Sequence, residues 1–122
     1  MGERQNLEKR LDELVSHIVR RRDLINGCIT CGRAMIYETS TAGHFIHRSH
    51  RCVRWSLVNV NAQCYDCQRQ DNKQVYEAAM IRKYGDELTQ KIKKIGRGDC
   101  KHSVADLREF YRELKEYQNQ LA

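Results

Sequence analysis

Two C-x-x-C pairs carry the plainest chemistry in this chain. Cys28-Ile29-Thr30-Cys31 and Cys64-Tyr65-Asp66-Cys67 are separated by 32 residues. Two residues between cysteines let a tight turn aim both sulfurs at one cation. Four thiolates then close a tetrahedral site with Zn–S distances of about 2.3 Å. Thiolates also select zinc over hard cations. Gly27 and Gly32 flank the first pair, which suits a knuckle turn. The competing use, a redox dithiol, needs a single C-x-x-C at a helix start beside a βαβ pattern, and none is visible. The spacing therefore predicts structural Zn2+ on Cys28, Cys31, Cys64 and Cys67. A closed site of this kind folds a domain and takes no part in chemistry. Cys52 reads as a small apolar residue, and Cys100-Lys101-His102 offers too few ligands for a second site.

The histidines lie between the knuckles. His44, His47 and His50 alternate with Arg48, Arg51 and Arg54, and no acidic residue occurs from Thr39 to Tyr65, a stretch of 27 residues. A phosphate backbone would be most welcome there. Phosphodiester hydrolysis needs a nucleophilic water, charge stabilisation on the phosphate and help for the leaving oxygen. A neutral imidazole near its ordinary pKa can take the water proton. A single Mg2+ or Mn2+ can do the rest.

The whole chain bounds these readings. At 122 residues it fits one domain. It carries 22 Lys+Arg against 16 Asp+Glu, a net charge of +6, which favours a polyanionic partner but decides little alone. No apolar stretch is long enough to span a membrane. The N-terminal residues are polar, so no secretory signal is expected. Six cysteines without a signal point to metal rather than disulfides.

Certain elements must hold the site. Leu7, Leu11, Leu14, Val15, Ile18 and Val19 form one helical stripe, with Asn26-Gly27 expected to end it. Residues 28–72 lack long periodicity and read as short strands and loops around a metal. They hold few apolar residues, so the cysteines must supply much of their order. Lys73 to Tyr84 is again helical and Gly85 stops it. Asp86 is expected to cap a short helix with Leu88, Ile92 and Ile95 inward, broken at Gly96 and Gly98. Ser103 and Asp106 form a weak capping box before a last amphipathic helix through Leu107, Phe110, Leu114 and Leu121. The organisation expected is one domain, 1–122: an N-terminal helix at 1–27, the finger at 28–85, and C-terminal helices at 86–122.

These residues carry a family resemblance. Ile18-Val19-Arg20-Arg21-Arg22-Asp23, Cys28-Ile29-Thr30-Cys31-Gly32, Ala42-Gly43-His44-Phe45, Arg54-Trp55, Asn59-Val60-Asn61-Ala62-Gln63-Cys64, Cys67-Gln68, and Tyr76 through Tyr84-Gly85 keep the order and most of the spacing. Over about residues 15–95 the chain resembles the NinG/Rap family of phage recombination endonucleases, which are zinc-containing HNH proteins. It departs in three places. Asn61 stands where the family has His. Gln68 stands where Asn is expected after the fourth Cys. The segment from Cys67 to Tyr76 is also about two residues shorter. Some zinc HNH nucleases place Asp before the His, whereas here it is Gly43.

The resemblance implies an α+β fold: a small zinc-bound treble-clef or ββα-metal (HNH-like) finger flanked by N-terminal and C-terminal helices. It implies a metal-dependent DNA endonuclease that cuts branched recombination intermediates such as Holliday junctions or displacement loops. His44 would be the general base, and Asn59 would hold the loop or orient the ring. His50 and Gln68 would hold the catalytic Mg2+ or Mn2+. Arg48, Arg51 and Arg54 would bind DNA. Junction cleavage generally needs two active sites, so a homodimer through helical segments is an open expectation. The resemblance also implies a phage protein in the cytoplasm of a bacterial host. Two other readings fit the same residues: a non-catalytic zinc-stabilised nucleic-acid-binding module, and a protein–protein adaptor with the finger as scaffold.

Overall fold

The fold is taken from a computed structural model, which describes residues 2–121. The element order is α1 (Glu3–Arg22), a single 3-10 turn at Tyr37–Thr39, β1 (Ser40–His44), β2 (Val60–Cys64), α2 (Tyr65–Gln70), α3 (Lys73–Tyr84), α4 (Asp86–Gly96) and α5 (Val104–Leu121). The strands make one antiparallel hairpin, with Ser40 opposite Cys64, Thr41 opposite Gln63, Gly43 opposite Asn61 and His44 opposite Val60. This is an α+β fold in which helices flank a small hairpin and a four-cysteine cluster. No helix is long and apolar enough to cross a membrane.

The leucine stripe works as its spacing requires. Leu7, Leu11, Leu14, Val15, Ile18 and Val19 are all buried, against Leu107 and Leu114 of α5, Trp55 and Val60. The helix ends at Arg22, earlier than Asn26-Gly27 suggests. The cause is Asp23, whose side chain is drawn away from the helix: its carboxylate accepts the Ala62 N–H of β2 at 3.0 Å. Gly27 instead serves the following turn, at φ +77°, where a Cβ would lie 2.7 Å from the Arg33 carbonyl oxygen.

A second apolar cluster lies beneath the loop that joins the strands. Phe45 and Val53 of that loop pack on Tyr76 and Met80 of α3 and Ile92 of α4. Residues 28–72 are thus better supplied with burial than their own composition suggests, because α3 and α4 bring the other half. In α4, Asp86 is the first helical residue rather than the cap, since the chain enters from Gly85 at φ +89°, and Ile95 is exposed. The Ser103 box forms as expected: Ser103 N–H donates to Asp106, and Asp106 N–H to Ser103, both at 3.0 Å.

One expectation is overturned. Cys52 and Cys100 are not bystanders but are joined as a disulfide. The fold brings two positions 48 residues apart in sequence to a Cα–Cα distance of 5.1 Å. Only the folded chain brings these two positions together.

Candidate active site and metal centre

The knuckle turn before the hairpin and the N-terminus of α2 deliver the four sulfurs. The ligand atoms of Cys28, Cys31, Cys64 and Cys67 all lie within 4.8 Å of one another. A tetrahedral site with Zn–S of about 2.3 Å places its sulfurs about 3.8 Å apart. Cys31 Sγ and Cys64 Sγ are 3.9 Å apart, so the cluster fits such an ion. The thiols also compete as a bare group would. Burial works to raise Cys28, but the backbone N–H groups of Cys31, Cys64 and Thr30 overcome it and bring the thiol down to about 7. Burial and the neighbouring sulfurs push Cys67 up. A cation would relieve this competition by holding all four as thiolates.

At the end of the hairpin away from the cysteine cluster, β1 ends at His44. Its Nε2 lies 2.9 Å from the Arg54 carbonyl oxygen. A carbonyl only accepts, so Nε2 carries the proton and Nδ1 keeps the lone pair in the neutral ring. Burial lowers the His44 pKa below the ordinary imidazole value, against the pull of that carbonyl and of Asp12. The ring is therefore held as a neutral base of one tautomer.

His44 lines an open cavity of about 760 Å3 together with Gly43, Gln63, Gln68, Arg48 and Lys73. Gln68 and Arg48 thus share the site with His44, as the sequence suggests. His50 falls outside that cavity: its Nδ1 donates to the Gly96 carbonyl at the end of α4, 3.0 Å away. Asn59 does not touch the His44 ring. It is fully buried, with Oδ1 accepting from Ile46 N–H at 2.8 Å and Nδ2 donating to the carbonyls of Ile46 and Val53 at 3.0 and 3.1 Å. It closes the loop that follows β1, which fixes where Arg54 presents its carbonyl to His44.

The acid-free stretch is acid-free only in sequence. Glu8 and Asp12 project from one face of α1 onto it. Arg54 donates to Asp12 at 3.0 and 2.6 Å and its side chain is only 12 % exposed. Arg51 donates to Glu8 at 2.8 and 3.2 Å. Arg48 keeps 57 % exposure with one 3.3 Å contact to Asp12. Of these three arginines, Arg48 is the one best placed to meet a phosphate, while Arg51 and Arg54 mainly anchor the loop to α1.

Further cations complete the cavity wall. Lys73, at the start of α3, donates to the carbonyl of Phe45 at 3.1 Å and reaches that of His44 at 3.4 Å. Arg20 and Arg69 also line the cavity. A helix start two turns after a metal-binding cysteine pair was the available signal for Lys73.

Asn61 belongs elsewhere. Its Oδ1 accepts from Tyr84 Oη at 2.6 Å and from Arg22 and Lys83 at 3.2 Å each. Its Nδ2 donates to the Val58 carbonyl. Asp23 faces the same cluster, accepting from Arg22 at 2.7 and 2.8 Å and from Lys83 at 3.2 Å. Burial would raise the Asp23 carboxyl, but Arg22, the Ala62 N–H and Lys83 hold it below the usual range. A neutral histidine at 61 offers a single acceptor nitrogen, the other ring nitrogen being a donor, and could not accept three such bonds. The amide therefore serves the packing of α1 against α3.

A family model described as Bacteriophage Lambda NinG protein matches residues 1–122. No curated protein and no solved structure matches.

Proposed function

The chain belongs to the NinG family of phage recombination endonucleases, and from that premise we propose that it hydrolyses phosphodiester bonds of branched DNA at the cavity beside His44. The observation that carries this reading is the His44 ring: half-buried, neutral, and held in one tautomer by the Arg54 carbonyl. A base so held takes the proton of an attacking water on Nδ1 as the oxygen attacks phosphorus and the bond to the 3′ oxygen breaks. Asn59 positions this base through the loop. Arg48, Lys73, Arg20 and Arg69 supply the positive wall along which the strand would lie.

Zinc on Cys28, Cys31, Cys64 and Cys67 would order the hairpin and the start of α2. The hard catalytic cation, Mg2+ or Mn2+, would be held by the Gln68 amide oxygen, a donor type that suits it. When bound, it supplies charge neutralisation on the phosphate and the departing oxygen. Cutting both strands of a junction takes two sites, which two copies of the chain would provide.

The test uses zinc-loaded protein with four-way junction and linear duplex DNA, with Mg2+, with Mn2+ or without added divalent ion. Metal-dependent nicking of the junction is expected, and His44→Ala should lose about 10²–10⁴-fold in rate while still binding DNA. Binding without nicking would leave the non-catalytic module. Equal nicking by His44→Ala would remove His44 as the base.

A further inference from the structure

Gln63 has no role in the reading above, yet its setting is unusual for a strand residue. Its side chain crosses the hairpin diagonally and lies on Gly43. A Cβ on Gly43 would stand 1.8 Å from Gln63 Oε1 and 2.7 Å from Cδ. Gly43 is glycine to leave room for this amide, since its φ is not in the left-handed region. The residue before His44 thus has no side chain, and the space one would fill holds an amide oxygen.

That oxygen is aimed and unpartnered. Gln63 is only 5 % exposed. Its Nε2 donates to Thr30 Oγ1 at 2.8 Å, which fixes the rotation of the amide. Among the described residues Oε1 accepts no hydrogen bond, although no fully enclosed side-chain oxygen lacks a partner. Oε1 is therefore not fully enclosed, and Gln63 lines one cavity with Gly43, His44 and Gln68.

The cavity's carboxylates are less available. Asp12 is taken by Arg54, Arg48 and Trp55. Asp71 is exposed and paired with Lys73 at 3.2 Å. The two amides, Gln63 on β2 and Gln68 on α2, remain as carbonyl-type oxygen donors among the side chains lining that cavity.

We propose that Gln63 Oε1 is a ligand of the divalent cation and that, with Gln68, it forms a site of neutral donors that DNA phosphate oxygens complete. This rests on the nuclease reading of the same cavity. Amides bring no net charge, and Mg2+ or Mn2+ in charge-poor protein sites leans on substrate phosphates. The cation and DNA therefore bind together, and the protein alone holds the cation weakly.

The experiment measures Mn2+ binding by electron paramagnetic resonance on zinc-loaded protein in the His44→Ala background, with and without four-way junction DNA, subtracting Mn2+ bound by DNA alone. Weak binding without DNA and clear tightening with DNA are expected. Gln63→Glu keeps the shape and adds a charge, so it should tighten Mn2+ without DNA by about tenfold or more. Gln63→Leu, checked for zinc content and circular dichroism, should lose the DNA-dependent tightening. If Gln63→Leu does not fold, Gln63→Glu decides alone: unchanged Mn2+ affinity overturns the proposal. Nicking by the His44-intact protein is measured in parallel. If it nicks while both variants bind Mn2+ as the parent does, Gln63 is no ligand and the nuclease reading stands. If it does not nick, the nuclease reading itself has failed.

Discussion

The helical scaffold and the finger are held by different forces. Between α1 and α5 the order comes from a continuous apolar seam, with Leu11, Val19 and Leu107 wholly buried. In the finger the strands are short, and the buried residues of β2 include Asn61, Gln63 and Cys64. Thiols, amides and an ion-pair cluster do there what leucines do in the scaffold. An apolar seam tolerates small shifts, because burial is non-directional. A polar network does not, because each hydrogen bond has a direction and an unpaired buried group is costly. The part of the molecule that holds His44 is therefore built from the less forgiving contacts, which suits a group that must keep one tautomer in one place.

The largest expected break in this comparison comes from denying the four-cysteine cluster a metal. A chelator, or Cys64→Ser, should cost on the order of 10 kcal/mol of finger stability. Amide hydrogen exchange should then open residues 28–72 while α1 and α5 keep much of their protection. Equal loss in both regions would show that they fold as one unit and that the contrast is only local.

A second test compares one polar and one apolar contact. Asp23→Ala strips the half-buried Arg22, the more exposed Lys83 and the Ala62 N–H of the carboxylate they share and should cost about 1.5–3 kcal/mol. Leu11→Ala should cost about 2–5 kcal/mol through the cavity it leaves. Chemical denaturation gives both. Only the first should also disturb the junction of α1, β2 and α3 near the finger, seen as a change in nicking. The Asp23 contribution has a direction in pH as well. Its folded pKa lies below the ordinary value, so its stabilisation is present above about pH 4 and fades as pH falls through the folded value.

The smallest effect is a displaced pH limb. Because burial lowers His44, the neutral base persists below the ordinary imidazole pKa. The acid limb of the nicking rate should fall below about pH 6.5. A limb above that value would mean that the charged ring is favoured in the resting site, Asp12 outweighing burial.

Much of the scaffold is legible in the sequence. The α1 stripe, the run Lys73–Tyr84 and the Ser103 box are local patterns, and local spacing determines a helix face. Metal-ligand spacing is equally local within each pair, which is why the four cysteines can be read together. Asp23 shows the limit: it ends α1 through a hydrogen bond to Ala62, 39 residues away. His50 shows another, since its ring turns to a carbonyl on α4 rather than to the cavity.

The sequence by itself determined the residue types: four thiols at zinc spacing, a histidine followed by arginines, and helices with one apolar face. It did so because those signals repeat over a few residues. Only the tertiary structure decided which charges meet. Glu8 and Asp12 neutralise arginines more than 40 residues away, and Gln63 lies over a glycine on the facing strand. Such pairings depend on how α1 lies on the hairpin and on strand register, which arise when distant segments pack and leave no mark in any one of them.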